Sequence, residues 1–451
     1  MPRPRREIEL FLFLRPGVIE FFPGAQKPRP ALFLVYIRSR LGHGTAAAML
    51  RLMCCPVFLL FALAGPLSGA ADQCRVYFGT LSTGPGHGIY TSTLDRRTGA
   101  LSGPELAAET SDPGFIAISP DRRFLYALGG RYGPEQILVD GRVKAYAIDA
   151  PSGRLTLVNE RATGDPEPCF ITTDPAGGFV LTANYNGGSV AAYRIGDGGA
   201  VGERTAFARH AGSGPVPVRQ EASHAHCINL DGTGRFALVA DLGLDKVFIF
   251  RFDPATGGLS PNDPPFARMP AGSGPRHIAF HPSGKFAYSV NELDSTVAAF
   301  SWDGARGVLT PIQVEPLLPS GFSGQNTAAE IAVHPTGRFL YASNRGDDSI
   351  VVFAIDPASG LLAFRQRMAG GIRSPRSFAL DPTGAWLVCG NLTADNASVF
   401  RIDPASGRLI ATGRAVAVPQ VSCVQFMETA AAGRQPPGSQ TNPATAALSA
   451  R

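Results

Sequence analysis

Cysteine is sparse and unpatterned, with seven residues in 451 and no CxxC spacing. Cys54 and Cys55 fall in an apolar stretch near the N-terminus, leaving Cys74, Cys169, Cys227, Cys389 and Cys423 for the rest of the chain. An odd, scattered set of this kind excludes the disulfide lattice of a small secreted domain and a cysteine-rich zinc site. It reads as buried thiols acting as small hydrophobes. No GxSxG is present, which disfavours a serine nucleophile and a covalent acyl-enzyme. The glycine-rich AGSGPVP beginning at Ala211 lacks the GK[ST] ending of a phosphate loop and reads as a plain loop. No long window carries a helical period. The apolar stretch at 52–63 is short for a membrane span.

Excess charge of one sign is also missing from most of the chain. Nine of the 41 Lys and Arg residues and three of the 36 Asp and Glu residues lie in residues 1–71, which leaves 32 basic and 33 acidic residues beyond. The body is therefore near neutral, and a general attraction to nucleic acid is not expected. The N-terminal segment resembles an export signal: Arg51, the apolar stretch at 52–63, and small residues at Gly69, Ala70 and Ala71. Met49 is the natural start of such a signal. Residues 1–48 then read as a non-globular leader or an over-long gene start, 49–71 as the signal, and the mature protein as periplasmic or secreted. An uncleaved anchor, or a cytoplasmic protein with an artefactual leader, is the alternative. Residues 428–451 are rich in Ala, Pro, Gly, Gln and Thr and are expected to be disordered.

Between these ends the chain is a series of short β-branched and aromatic runs separated by Gly, Pro, Asp and Asn, the pattern of an all-β protein. One motif recurs six times: SPDRRFLY, DPAGGFVL, LDGTGRFAL, HPSGKFAY, HPTGRFLY and DPTGAWLV. Its aromatic anchors are Phe124, Phe179, Phe236, Phe286, Phe339 and Trp386, spaced by 55, 57, 50, 53 and 47 residues. A four-stranded propeller blade fits this period. One unit predicts strands over 276–280, 286–290, 296–302 and 307–314. A second motif gives another count. It begins at Asp95, Asp149, Asp253, Asp303, Asp356 and Asp403, with a degenerate copy near Asp197. Seven such loops against six hairpins imply a seven-bladed β-propeller at 72–427, with one blade split between the chain ends. Residues 421–426 should then pair with 75–80 and close the ring, removing an exposed edge. Cys74 and Cys423 fall in these two segments, and a disulfide between them is left open.

Aligned on the anchors, the repeats serve as their own control. Ten residues before the anchor they read Gly114, Cys169, His226, Arg276, Ala329 and Arg376. The next column reads Phe115, Phe170, Cys227, His277, Glu330 and Ser377. Six after the anchor they read Gly130, Tyr185, Leu242, Glu292, Arg345 and Leu392. The start of one strand and the end of its antiparallel neighbour share one end of a hairpin. These columns should therefore ring one mouth of the central channel. Folding alone does not demand charge where other blades carry Gly, Phe, Leu or Cys. Asn or Asp five after the anchor reads as turn chemistry. Arg123, Arg235, Lys285 and Arg338, just before the anchor, belong to the opposite face. His281 and His334 share a turn position with Asp174 and Asp381 and read as turn caps. His224 and His226 form HxH, but no Asp or Cys cluster at ligand spacing accompanies them, so no metal or other cofactor is expected.

The segments RQEASHAHCINL (219–230), ADLGLDKVFIFRFD (240–253), GPRHIAFHPSGKFAYSVNELDSTVAAF (274–300), NTAAEIAVHPTGRFLYASNRGDDSIVVF (326–353) and SPRSFALDPTGAWLVCGN (374–391) resemble the seven-bladed propeller lactonases. That family includes bacterial 6-phosphogluconolactonases of the propeller type and fungal carboxy-cis,cis-muconate cyclase. The resemblance covers about residues 75–426 and is most specific in the central blades. It implies a catalytic cluster at His226, Arg276, Glu292 and Arg345, the residues the repeat comparison selects. Tyr185, His224, His277, Glu330 and Arg376 are the accompanying substrate-binding candidates. The implied partner is a small lactone. Arg276 and Arg345 suit the oxyanion of ester hydrolysis, with Glu292 expected as general base and His226 as proton donor to the leaving oxygen. Lactonising cycloisomerisation and a non-catalytic exported binding module are the alternatives.

Overall fold

The computed structural model describes residues 72–81, 88–132 and 138–428. The expected leader, signal and nearly all of the expected disordered tail lie outside these residues. What is described is a ring of seven antiparallel sheets, with no α-helix among the described residues. Blades 1 to 6 occupy 116–162, 168–209, 225–268, 275–316, 327–368 and 375–417. The strands of blade 4 are Pro275–Phe280, Phe286–Asn291, Thr296–Asp303 and Val308–Pro316, within two residues of the sequence-derived bounds. No helix in the described residues is long and apolar enough to cross a membrane.

The two sequence motifs meet in one repeated contact. Each anchor ring lies against the glycine that ends the Asp-initiated loop of the following blade. Gly360 and Gly407 adopt φ of 75° and 73°, a region that penalises a Cβ. A Cβ there would also stand 2.4 Å from the rings of Phe286 and Phe339. Phe124, Phe179, Phe236 and Trp386 abut Gly199, Gly257, Gly307 and Gly99 in the same way. A tyrosine two residues past the anchor adds a hydrogen bond in several blades. Tyr126, Tyr288 and Tyr341 donate to the carbonyls of Gly199, Gly360 and Gly407 at 3.0, 3.0 and 2.8 Å. At the blade 7 to blade 1 junction Arg75 takes the anchor's place. It donates to Ser152 and Pro151 carbonyls at 2.8 and 2.9 Å, and Tyr77 donates to Gly153 at 3.0 Å. The anchor-bearing strands Phe179–Asn184, Phe236–Asp241, Phe286–Asn291 and Trp386–Asn391 are buried throughout, because neighbouring blades cover both faces. His281 and His334 do cap their turns, through Ser283 and Thr336. Each also donates across the blade boundary, to the Gly337 and Gly384 carbonyls at 2.8 and 2.9 Å.

Ring closure is as the motif count implies. Val421–Glu428 is the innermost strand of blade 7 and pairs with Gln73–Thr80, which continues to Gly88–Asp95. The register sets Cys74 opposite Glu428 and Cys423 opposite Gly79. The two thiols are thus about five residues apart along the ladder, roughly 16 Å at strand rise, far beyond disulfide reach. Both are free, like the other described cysteines. Deleting residues 421–426 should strip the inner strand from blade 7 and lower the thermal unfolding midpoint of the whole ring. An unchanged midpoint would contradict closure by this strand.

Candidate active site

Five of the six repeats share an irregularity at the start of the inner strand. Opposite the anchor-bearing strand, Ala225 pairs with Asp241 and Cys227 with Ala240, leaving His226 as the extra residue of a β-bulge. The same skip leaves out Arg276 in blade 4 and Arg376 in blade 6. It leaves out Cys169 in blade 2 and Ala329 with Glu330 in blade 5. A bulge takes a residue out of the ladder and re-aims its side chain. The sequence column ten before the anchor is therefore a column of bulges at one end of the channel. The neighbouring turns are fixed as expected. Asn184, Asn291 and Asn391 donate to Ser189, Thr296 and Asn396 side chains at 3.0, 2.8 and 2.7 Å.

Glu292 is the hub of the resulting site. It is 5% exposed and takes ion pairs from Arg276 Nε at 3.0 Å and Arg345 Nη2 at 2.9 Å, and a third from Arg219. Arg276 is held further by donation from Nη1 to the Ala329 carbonyl at 2.6 Å, and Arg345 by donation to the Ala328 carbonyl at 3.1 Å. Below them His277 Nδ1 meets Glu330 Oε1 at 2.8 Å. Arg276 Nη1 lies 3.2 Å from His277 Nε2. The His277 ring is walled edge-on by Phe115 and Phe170. On the other side, Tyr185 stacks on His224 with centroids 4.3 Å apart, and its ring meets His226 edge-on at 5.5 Å. His226 meets His277 at 5.4 Å. Eight of the nine sequence-derived candidates thus form one chain of contacts. The ninth, Arg376, is half-buried and tied to the group electrostatically, through Arg276, Glu292 and Cys169.

Protonation follows from this packing. Burial alone would raise the Glu292 carboxyl, but Arg345, Arg276 and Arg219 outweigh it and hold it at about 2. Arg345 is pushed down to about 9 by burial and by Arg276, despite Glu292. The two shifts are unequal because the carboxylate faces three cations, whereas Arg345 faces one carboxylate and like-charged neighbours; at neutral pH the cluster stays ionised. Burial, then Arg276, His277 and Arg376, drives His226 well below its ordinary value, so its imidazole is neutral at pH 7. His277 is lowered by burial, although Glu330 opposes this. Burial pushes the Cys169 thiol up to about 12. This leaves it protonated beside His226 Nδ1, at 3.9 Å.

Sequence reasoning missed Arg219. It lies outside every repeat column, in the segment between Val201–Arg209 and Ala225–Leu230, a few residues past the glycine-rich AGSGPVP. The loop is anchored at both ends by Asp241, which pairs with His210 at 2.7 Å and accepts from the His224 amide at 2.9 Å. The opposite-face residues Arg123, Arg235, Lys285 and Arg338 are exposed, as expected. Arg235 and Arg338 donate to loop carbonyls of the next blade.

Comparison with known proteins agrees with this architecture. Residues 75–426 match the family described as "Lactonase, 7-bladed beta-propeller". The chain is 36% identical over 351 residues to a 6-phosphogluconolactonase of Bacillus subtilis (strain 168), covering 78% of this chain and 97% of that protein. It is 29% identical over 282 residues to a 6-phosphogluconolactonase of Formosa agariphila, covering 62% and 78%. Among solved structures, a periplasmic gluconolactonase of Pseudomonas aeruginosa superposes with a TM-score of 0.75, at 34% identity over 79% of this chain and 99% of that one. A ring of seven such blades, closed by its own chain ends and matched along nearly its whole length, belongs to the seven-bladed β-propeller lactonase family.

Proposed function

We propose that this protein hydrolyses a sugar lactone, in the manner of a 6-phosphogluconolactonase, with water as the nucleophile. The observation that carries the reading is a neutral imidazole, His226, beside guanidinium groups gathered on one carboxylate at the channel mouth. Ester hydrolysis needs a base for water and cations for the oxyanion. The expectation from sequence gave the base role to Glu292. A carboxylate held at about 2 by three arginines is a weak base, whereas a neutral imidazole can accept a proton at pH 7. His226 therefore takes the proton of the attacking water. It returns that proton to the ring oxygen as the acyl carbon–oxygen bond breaks, giving the open hydroxy acid. Glu292 orients Arg276 and Arg345 towards the carbonyl. Tyr185 and His224 offer an aromatic wall for the sugar ring. His277, whose ring meets Phe115 and Phe170 edge-on, and its partner Glu330 support Arg276 from below rather than meeting the substrate.

A panel of lactones tests the reading: glucono-1,5-lactone, its 6-phosphate and simple aliphatic lactones, followed by acid release in a pH-stat against the spontaneous rate. Acceleration of at least one sugar lactone is expected. No acceleration of any of them would favour a non-catalytic binding module. Export fits both the leader composition and the periplasmic relative. N-terminal sequencing of protein from its own host should give a start near Asp72, and an intact Met1 would contradict it.

A further inference from the structure

The guanidinium groups at the mouth differ in what they already hold. Arg276 has Glu292, the Ala329 carbonyl and His277. Arg345 has Glu292 and the Ala328 carbonyl. Arg219 has Glu292 and the Tyr185 phenol. Arg376 stands apart. Among the described residues it forms no hydrogen bond or ion pair with a neighbour, although it opens the innermost strand of blade 6, Pro375–Leu380, from the same bulge position as His226 and Arg276. Its electrostatic neighbours are Arg276 and Glu292 of the site, Cys169 of blade 2, and Glu167 just ahead of that blade. Burial disfavours its charge, and the nearest site carboxylate, Glu292, is already shared by three other arginines; a guanidinium so placed has donors left for an anion that visits it.

We propose that Arg376 is a further catalytic residue, whose uncommitted guanidinium takes the oxyanion formed when water adds to the lactone carbonyl. This rests on the lactonase reading above. Stabilising charge that appears only in the transition state accelerates the chemical step. A donor already neutralised by a carboxylate contributes less to that than a free one. Arg276 and Arg345 are bound to Glu292 before substrate arrives and remain so, which suits them to orienting the lactone. Arg376 has donors to give. In the balanced step, water oxygen bonds to the acyl carbon and its proton goes to His226. The carbonyl π pair becomes an alkoxide held by Arg376. Collapse expels the ring oxygen, which takes the proton back from His226. No oxidant, reductant or co-reactant is needed.

The distinguishing readout is the split between kcat and KM. For Arg376→Ala assayed on the best lactone of the panel, kcat should fall ~10²–10³-fold, as for loss of one oxyanion donor, with KM changed less than threefold. Added guanidinium chloride at tens of millimolar should restore at least tenfold of the loss, which a merely structural defect would not allow. Arg376→Lys, which keeps the charge but not the fork, should retain more activity than Arg376→Ala and serves if the alanine variant fails to fold. Because Arg376 helps keep His226 unprotonated, the acid limb of kcat/KM should move to higher pH in Arg376→Ala. A variant with kcat within threefold of wild type, or a loss carried wholly by KM without guanidinium rescue, overturns the assignment while the lactonase reading stands. A wild-type protein without turnover on any lactone overturns that reading and the assignment with it. Lys285→Ala, on the exposed opposite face, should match wild type throughout.

Discussion

Replacing His226 with Asn should lower kcat for lactone hydrolysis by ~10²–10⁴-fold, the range for loss of a positioned general base, and leave the ring folded. His226 is the extra residue of a bulge, so its side chain is not part of the ladder between Ala225–Leu230 and Phe236–Asp241. The sign of the pH dependence follows from its environment. Burial and neighbouring cations hold its proton affinity well below the ordinary histidine value of 6.5. The active, unprotonated form is thus complete at neutral pH. Activity is lost only as pH falls through that lowered folded value, well below 6.5. The same shift acts on stability. An unfolded chain protonates this histidine below 6.5 while the folded one resists, so folding is weakened on the acid side. Steady-state rates of wild type from pH 4 to 8, below the range in which Arg345 begins to lose its charge, should be flat above neutrality with a single acid limb. That limb should vanish from the residual activity of His226→Asn. A variant retaining a third of wild-type kcat would return the base role to Glu292.

Replacing Glu292 with Gln should produce the largest loss of stability of any single change at the mouth. It leaves Arg276 and Arg345, both largely buried, facing each other without the carboxylate between them. Removing one partner of a buried ionic group typically costs about 3–5 kcal/mol. Linkage gives a similar figure. A carboxyl held at about 2 rather than 4.5 corresponds to about 3 kcal/mol. The folded-state value is depressed, so this contribution is complete above about pH 4.5 and is lost as pH falls towards 2. Urea unfolding of wild type and Glu292→Gln should therefore differ strongly at pH 7, less at pH 3, and converge as pH approaches 2. A difference that persists unchanged in acid would mean that the loss is steric rather than ionic. Activity should fall as well, because both arginines lose their common anchor. The fall should appear in KM together with kcat, unlike that of His226→Asn.

The blade repeat and the ring closure were open to reading because packing imposes them. An aromatic ring meets a glycine with positive φ in each of blades 1 to 6, as Phe286 meets Gly360 and Phe339 meets Gly407. That demand writes itself into the chain at a fixed period. The candidate site was legible for the complementary reason: it is where equivalent positions stop agreeing. Arg219 escaped because its loop has no equivalent in the other blades, so there was no column in which to stand out. The direction of proton transfer proposed above rests on how many cations face one carboxylate, which spacing along the chain does not encode. The fate of Cys74 and Cys423 depended on strand register. Adjacent strands were inferable, but the offset that sets Cys74 opposite Glu428 and Cys423 opposite Gly79 was not.

The bulges carry a consequence for how this kind of site can change. A side chain in a regular ladder is constrained on one face by its own sheet and on the other by the next blade, so exchanging it disturbs packing. The extra residue of a bulge is released from the first of these constraints, its own ladder. Cys169, His226, Arg276 and Arg376 occupy equivalent places in four blades, and they differ in size, charge and chemistry without altering the strands around them. The mouth is in effect a ring of sockets on a constant frame. A lineage can refit one socket at a time, and the frame need not be redesigned when the chemistry is.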